Sequence, residues 1–294
     1  MFRVFSCLVT EHDLRLLLLA GAICFLASLV AISLFHRAAA TAGRARGCWI
    51  AMAGAATGCG IWATHFVAML AYEPGVAVGY DIGLTALSLL AAALITGLGL
   101  ALAVHKRGWW PAPLGGAILG GGVAVMHYTG MWALQLPGHV TWAADLVIAS
   151  LLLGMLFGAS ALTVAQGRDR IQTTFGAAAL LALAILSHHF TAMGAAEVVF
   201  DPTRSVAPAA LSDTALAIAI AGAALAILVT SLVGAIADRF IDRTRRVQAQ
   251  RQGLDCRGQG RHVAMLLSRQ HFAQQPGLHA GDAGTALQMA GERA

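Results

Sequence analysis

Seven mostly apolar, uncharged blocks, separated by short polar breaks, set the architecture of this chain. The first covers residues 16–35, and at about 1.5 Å per residue it makes roughly 30 Å of helix, the thickness of a hydrocarbon core. Six more follow at about 48–72, 82–104, 113–135, 143–166, 173–197 and 212–237. The pattern predicts an all-α polytopic membrane protein with seven transmembrane helices. Ala38-Ala39-Ala40 resembles a signal-peptide cleavage site. The block before it exceeds the usual signal h-region of about 7–15 residues, so it reads as an uncleaved helix.

The polar positions inside the blocks are themselves periodic. His65, His127 and His189 are spaced 62 residues apart, and so are Met69, Met131 and Met193. Each copy reads His-aromatic-x-small-Met. A fixed interval of this length marks an internal repeat. The repeating unit is a helix pair: spans two and three, four and five, six and seven, with span one as an N-terminal extra. Small residues keep the same register: Gly58, Gly120 and Ala182; Gly60, Gly122 and Ala184; Ala68, Gly130 and Ala192. In lipid, such residues let helices approach closely through dispersion contacts, so the motif helices are expected to pack tightly.

Composition agrees with the pattern. Of the 294 residues, 58% are hydrophobic and 11% charged, and mean hydropathy is +0.73; a soluble domain carries roughly 25% charge. The net charge of +5 does not form a nucleic-acid surface, because sixteen of the nineteen basic residues fall in the connections after spans one, three and five and in the tail. By the positive-inside rule these segments are cytoplasmic and the N-terminus is outside. Spans two, four and six then run outward, with their motifs near the external face. Residues 10–240 read as the seven-helix membrane domain. Residues 241–294 read as a basic cytoplasmic tail, largely disordered, with Asp238 to Arg251 extending span seven as a charged helix. The five cysteines are scattered and imply no disulfide framework.

Candidate chemistry concentrates in the repeats. Ionisable residues at membrane depth are costly and point to function. Residues i and i+4 share a helix face, so each motif helix offers an imidazole and a thioether together. Thioether suits Cu(I), and imidazole suits copper, zinc and iron; neutral His and Met without a carboxylate fit copper best. The plainer alternative is histidines that only hydrogen-bond between helices, with methionines filling space. The aromatics Phe66, Tyr128, Phe190 and Trp62 read as packing. Asp81, Asp145 and Asp213 read as N-caps, or alternatively as acceptors for a ligand histidine's second N–H. No serine elbow, glutamate pair or phosphate loop is present, and the chain reads as non-enzymatic.

Met126-His127-Tyr128-Thr129 spells out the motif of the MHYT family, which the chain resembles over about residues 10–240. The resemblance implies a seven-helix sensor in a bacterial inner (plasma) membrane, with copper near the outer face and a diatomic gas (O2, CO or NO) or redox state as signal. Its metal role falls on His65, Met69, His127, Met131, His189 and Met193. Thr64 and His188 stand where the second copy has Met126, so Met126 and His188 are secondary candidates. Many members continue into a cyclic-di-GMP enzyme or a histidine kinase. About 57 residues follow span seven here, so a separate cytoplasmic signalling partner is expected. Two alternatives to the sensor remain open: a haem-binding membrane redox protein, since facing histidines can hold haem iron, and a copper transporter.

Overall fold

The computed structural model describes residues 13–72, 75, 78–105, 108–167, 170–201, 203 and 210–273. The described residues form seven helices: α1 Leu14–Ala40, α2 Gly43–Leu70, α3 Ile82–His105, α4 Pro111–Ala133, α5 Ala144–Ala165, α6 Arg170–Ala195 and α7 Asp213–Ala273. Each apolar block has become a helix, and most are longer than the apolar run that announces them. Of the nineteen basic residues weighed for orientation, Arg3, Lys106, Arg107, Arg168, Arg204 and Arg293 lie outside the described residues.

Six helices are long and apolar enough to cross a membrane: α1, α2, α3, α5, residues 171–195 of α6 and 213–237 of α7. The remaining one, α4, has 23 residues, about 34 Å of helix. Its six glycines and His127 dilute its hydropathy, but it packs along both α3 and α5 and crosses with them. The chain is a multi-pass membrane protein.

The first six helices close a ring in chain order, with α6 returning to pack on α1. α2, α4 and α6 also touch across it, so the motif helices line the middle. Burial follows from that placement: 78% of the apolar window of α2 is buried, against 33% for α1 and α3 and 28% for α5. Small residues allow the approach. A Cβ on Gly120 would collide with the Gly154 carbonyl, and one on Gly116 with that of Gly158, so α4 and α5 cross backbone to backbone. Gly58 meets the Ala93 backbone of α3, where an added Cβ would lie 2.6 Å away. The repeated glycines thus join a motif helix to both neighbours: Gly58 and Gly120 meet the helix that follows, while Gly60 meets Ala27 of α1 and Gly122 meets Ile95 and Thr96 of α3, the helix before.

Four short strands were not anticipated. β1 (Gly79–Tyr80) pairs antiparallel with β2 (Leu134–Gln135), and β3 (Gly138–Trp142) with β4 (Ala196–Phe200). They follow the ends of α2, α4 and α6, so they lie at the end of the ring that holds the motifs. Tyr80 adds a bridge to Leu211, and the Asp13 amide donates to the Ala71 carbonyl at the same end. Burial and the neighbouring Asp213 raise the Tyr80 phenol above its ordinary range.

The aspartate expectation holds at one position. Asp81 accepts from the Leu84 amide at 2.8 Å and caps α3. Ser212, not Asp213, accepts at the start of α7, from the Ala215 amide. Asp145 sits inside the first turn of α5 without capping it; there it still favours the helix dipole.

Contacts divide the chain between Leu232 and Val233. Within the first unit, α7 contributes a narrow seam of Leu216, Ile220, Ala223 and Ile227. The second unit is described as helix as far as Ala273, beyond Arg251, where the charged extension of span seven was expected to end. Ala, Arg, Gln and Leu are frequent there and favour helix. Residues 274–294 of the expected tail lie outside the described residues.

Candidate metal centre

His65 lies five residues before the end of α2, and His127 and His189 six before the ends of α4 and α6. At about 1.5 Å per residue all three sit roughly 8–9 Å inside the same end of the ring. The 62-residue spacing therefore becomes a common depth. Because the motif helices face the middle, it also becomes a common point. Ligand nitrogens of the three histidines all lie within 4.8 Å of one another, and all three side chains are buried.

The contacts run through Nδ1. His65 Nδ1 is 3.2 Å from that of His127 and 3.3 Å from that of His189. Three nitrogens each about 2.0 Å from one ion would stand roughly 3.3–3.5 Å apart. Hydrogen bonding satisfies this arrangement poorly. A neutral imidazole nitrogen holds either one proton or one lone pair, so His65 Nδ1 cannot complement both neighbours. One cation facing three lone pairs can. In addition, Nε2 of His65 and of His127 has no hydrogen-bond partner among the described residues. Leaving a buried polar group unsatisfied costs about 1–3 kcal/mol; these Nε2 atoms point away from the Nδ1 cluster, so an ion held at Nδ1 leaves them for a further acceptor or a water. The donor set, and the two Nδ1 separations around His65, fit a metal ion.

The surroundings hold the rings in place. The His65 ring meets those of His127 and His189 edge to face, with centroids 4.9 and 5.3 Å apart. Phe66 packs at 4.7 Å on His65 and is itself wedged between Trp62 and Tyr80. Trp62 donates its indole N–H to the Thr85 carbonyl, so its packing role is tied to α3. Gly130 is the close approach in the centre: a Cβ there would lie 2.6 Å from His65 Nε2.

His188 stands beside the trio. Its Nδ1 donates to the Ser150 carbonyl of α5 at 2.9 Å, which leaves the lone pair on Nε2. That nitrogen is buried and without a partner among the described residues. The His188 ring is 5.3 Å from that of His127. The acceptor that fixes its tautomer is a backbone carbonyl, not one of the three aspartates. Ser150 also accepts or donates through Oγ to the Tyr128 hydroxyl at 2.9 Å. Ser150 carried no sequence signal, because it lies 38 residues from His188 on a different helix.

Met69, Met131 and Met193 are buried one turn beyond their histidines, and Met126 is buried one residue before His127. The convergence itself belongs to the imidazoles. Met131 additionally lines a cavity described below.

A ring of membrane helices with histidines from three repeats meeting near one end defines a repeat-built, multi-pass membrane module. The chain belongs to the MHYT family, described as a bacterial signalling protein N-terminal repeat, whose model matches residues 58–116 and 120–178. The two matched segments start 62 residues apart, the interval of the His and Met series. The third copy, containing His189, lies beyond them. Among curated proteins, a Caulobacter vibrioides protein named only as an uncharacterized signaling protein is 36% identical over 236 residues, covering 80% of this chain and 29% of the relative. MucR of Pseudomonas aeruginosa, named a bifunctional diguanylate cyclase/cyclic di-GMP phosphodiesterase, is 30% identical over 248 residues, 82% of this chain and 36% of the relative. NbdA of the same organism, named a cyclic di-GMP phosphodiesterase, is 39% identical over 145 residues, 47% of this chain and 18% of the relative. The chain thus spans between 18% and 36% of the length of these relatives. No solved structure matches it.

Proposed function

We propose that this chain is the sensing part of a signalling system, with a copper ion held by His65, His127 and His189. Met69, Met131 and Met193 supply soft donors from the same helices. The observation that carries the reading is the meeting of three buried imidazoles from three helices, with Nδ1 contacts of 3.2 and 3.3 Å. Soft thioethers beside neutral imidazoles, without a carboxylate in the cluster, favour copper over zinc or magnesium. The edge-to-face rings leave no slot for a macrocycle between them, which favours a bare ion over haem.

Copper bound there would supply either a position for a diatomic ligand or a one-electron couple. The chain's own groups would orient the imidazoles, exclude water through Phe66, Trp62 and the strands above, and link three helices at one point. A change in how tightly the ion holds the rings would then bias the packing of α2, α4 and α6. A signal arises only if the two packings differ in affinity for the sensed species. The site would face outward in the inner membrane, with the N-terminus outside and α7 leading to a cytoplasmic partner. The names of the relatives make a cyclic-di-GMP synthase or phosphodiesterase the natural class of partner.

The test is metal content and visible spectrum of protein purified in detergent, alongside a His65→Ala/His127→Ala/His189→Ala variant. The reading expects copper in the native protein, its loss in the variant, and a spectral response to O2, CO or NO or to a change of potential. A Soret band would redirect the assignment to haem. Unchanged copper in the variant would remove the site.

A further inference from the structure

The three motif aromatics have different surroundings. Phe66 is fully buried beneath Tyr80. Tyr128 is half-buried, and it lines a cavity of about 600 Å³ between the end of α4 and strand β3. Buried Met131 and exposed Trp132, His139 and Trp142 also line the cavity. Its floor is thus one residue from His127 in sequence, and the Tyr128 ring is in contact with that histidine, centroids 5.1 Å apart. The same ring lies 5.8 Å from the ring of His188 and 5.2 Å from that of Trp142. The hydroxyl is fastened to Ser150 Oγ. The cavity wall holds a soft donor (Met131) and an exposed imidazole (His139), and the Tyr128 ring that also lines it touches buried His188, whose Nε2 has no partner among the described residues.

We propose that this cavity is the port through which a cuprous ion reaches the three-histidine centre, and that Tyr128 is its gate. This rests on the copper reading above and adds to it a route and a controlling residue. Rotation of the ring opens the route, and the hydroxyl bond to Ser150 is the latch that holds it shut. The second repeat alone carries tyrosine in the aromatic position, so the latch exists on one side of the centre only. A gate sets rates of entry and exit without setting affinity, because it touches the path equally in both directions.

The experiment follows transfer of Cu(I) from a coloured chelator to the full chain in detergent, by stopped flow, with equilibrium stoichiometry measured on the same samples. Tyr128→Phe, which removes only the latch, is expected to speed loading and release several-fold together. Tyr128→Ala is expected to speed both at least tenfold with unchanged stoichiometry. As a second, independent variant, His139→Cys modified with a bulky membrane-impermeant thiol reagent is expected to slow loading at least tenfold. Native protein given the same reagent controls for the five native cysteines. Unchanged rates in the Tyr128 variants and in the blocked His139→Cys protein, with native copper stoichiometry retained, would overturn the port and leave the copper centre standing. Failure of the native protein to take up Cu(I) at all would overturn both.

Discussion

At the scale of single residues, the site depends on one absent side chain. Gly130 has no Cβ, and that space holds the edge of the His65 ring, 2.6 Å from where a Cβ would be. Gly130→Ala must displace the ring or shift α2 from α4. We expect about 1–3 kcal/mol of destabilisation by overpacking and roughly 10–100-fold weaker metal binding, the range typical when a ligand's support is disturbed. Thermal unfolding and chelator competition would measure the two effects; an alanine variant with native affinity would show that the ring position is not critical. The sequence revealed Gly130 as part of a register of small residues but not what it accommodates. His188 differs in the same way. Its place next to His189 was legible, whereas the Ser150 carbonyl that fixes its tautomer comes from another helix and leaves no local trace.

At the scale of elements, repeats were legible and facing was not. Helical periodicity says little in helices that are apolar nearly all round, because lipid and protein core select the same side chains. The 62-residue interval supplied what periodicity lacked, giving three equivalent helices and three equivalent depths. The backbone crossing of α4 and α5 at Gly116, Gly120, Gly154 and Gly158 depends on glycines paired between the two helices of one repeat. Gly120→Leu should push these helices apart and lower the unfolding temperature far more than Gly121→Leu, whose added Cβ meets nothing within 4 Å. Equal shifts in the two variants would contradict the crossing. The strands β1 to β4 escaped sequence reading because they are two to five residues long and their partners lie more than fifty positions away. The charged continuation of span seven was legible as helix as far as Arg251, and the structure carries it on to Ala273. A charged stretch rich in Ala, Arg and Gln still favours helix.

At the scale of the molecule, charge asymmetry predicts orientation. The positive-inside rule predicts the basic connections and the tail in the cytoplasm, and with them the histidine cluster and its strand cover on the outside. Reporter fusions after residues 41, 75 and 108 should give cytoplasmic, external and cytoplasmic signals in turn. The reverse pattern would place the site, and any sensed ligand, on the inner side. Sequence alone also leaves two arrangements open for the whole protein: three separate His/Met sites, one per repeat, or one shared centre. The ring of six helices, with α6 closing on α1, favours the second because it brings the motif helices to a single axis.

Copper stoichiometry of the native chain and of His65→Ala, His127→Ala and His189→Ala taken singly separates these arrangements most directly. A shared centre predicts one high-affinity ion per chain and, in each single variant, affinity lower by about a hundredfold or more, because the remaining two imidazoles cannot complete it. Three ions per chain with one lost in each variant, or copper retained in all three variants, would contradict the shared histidine centre.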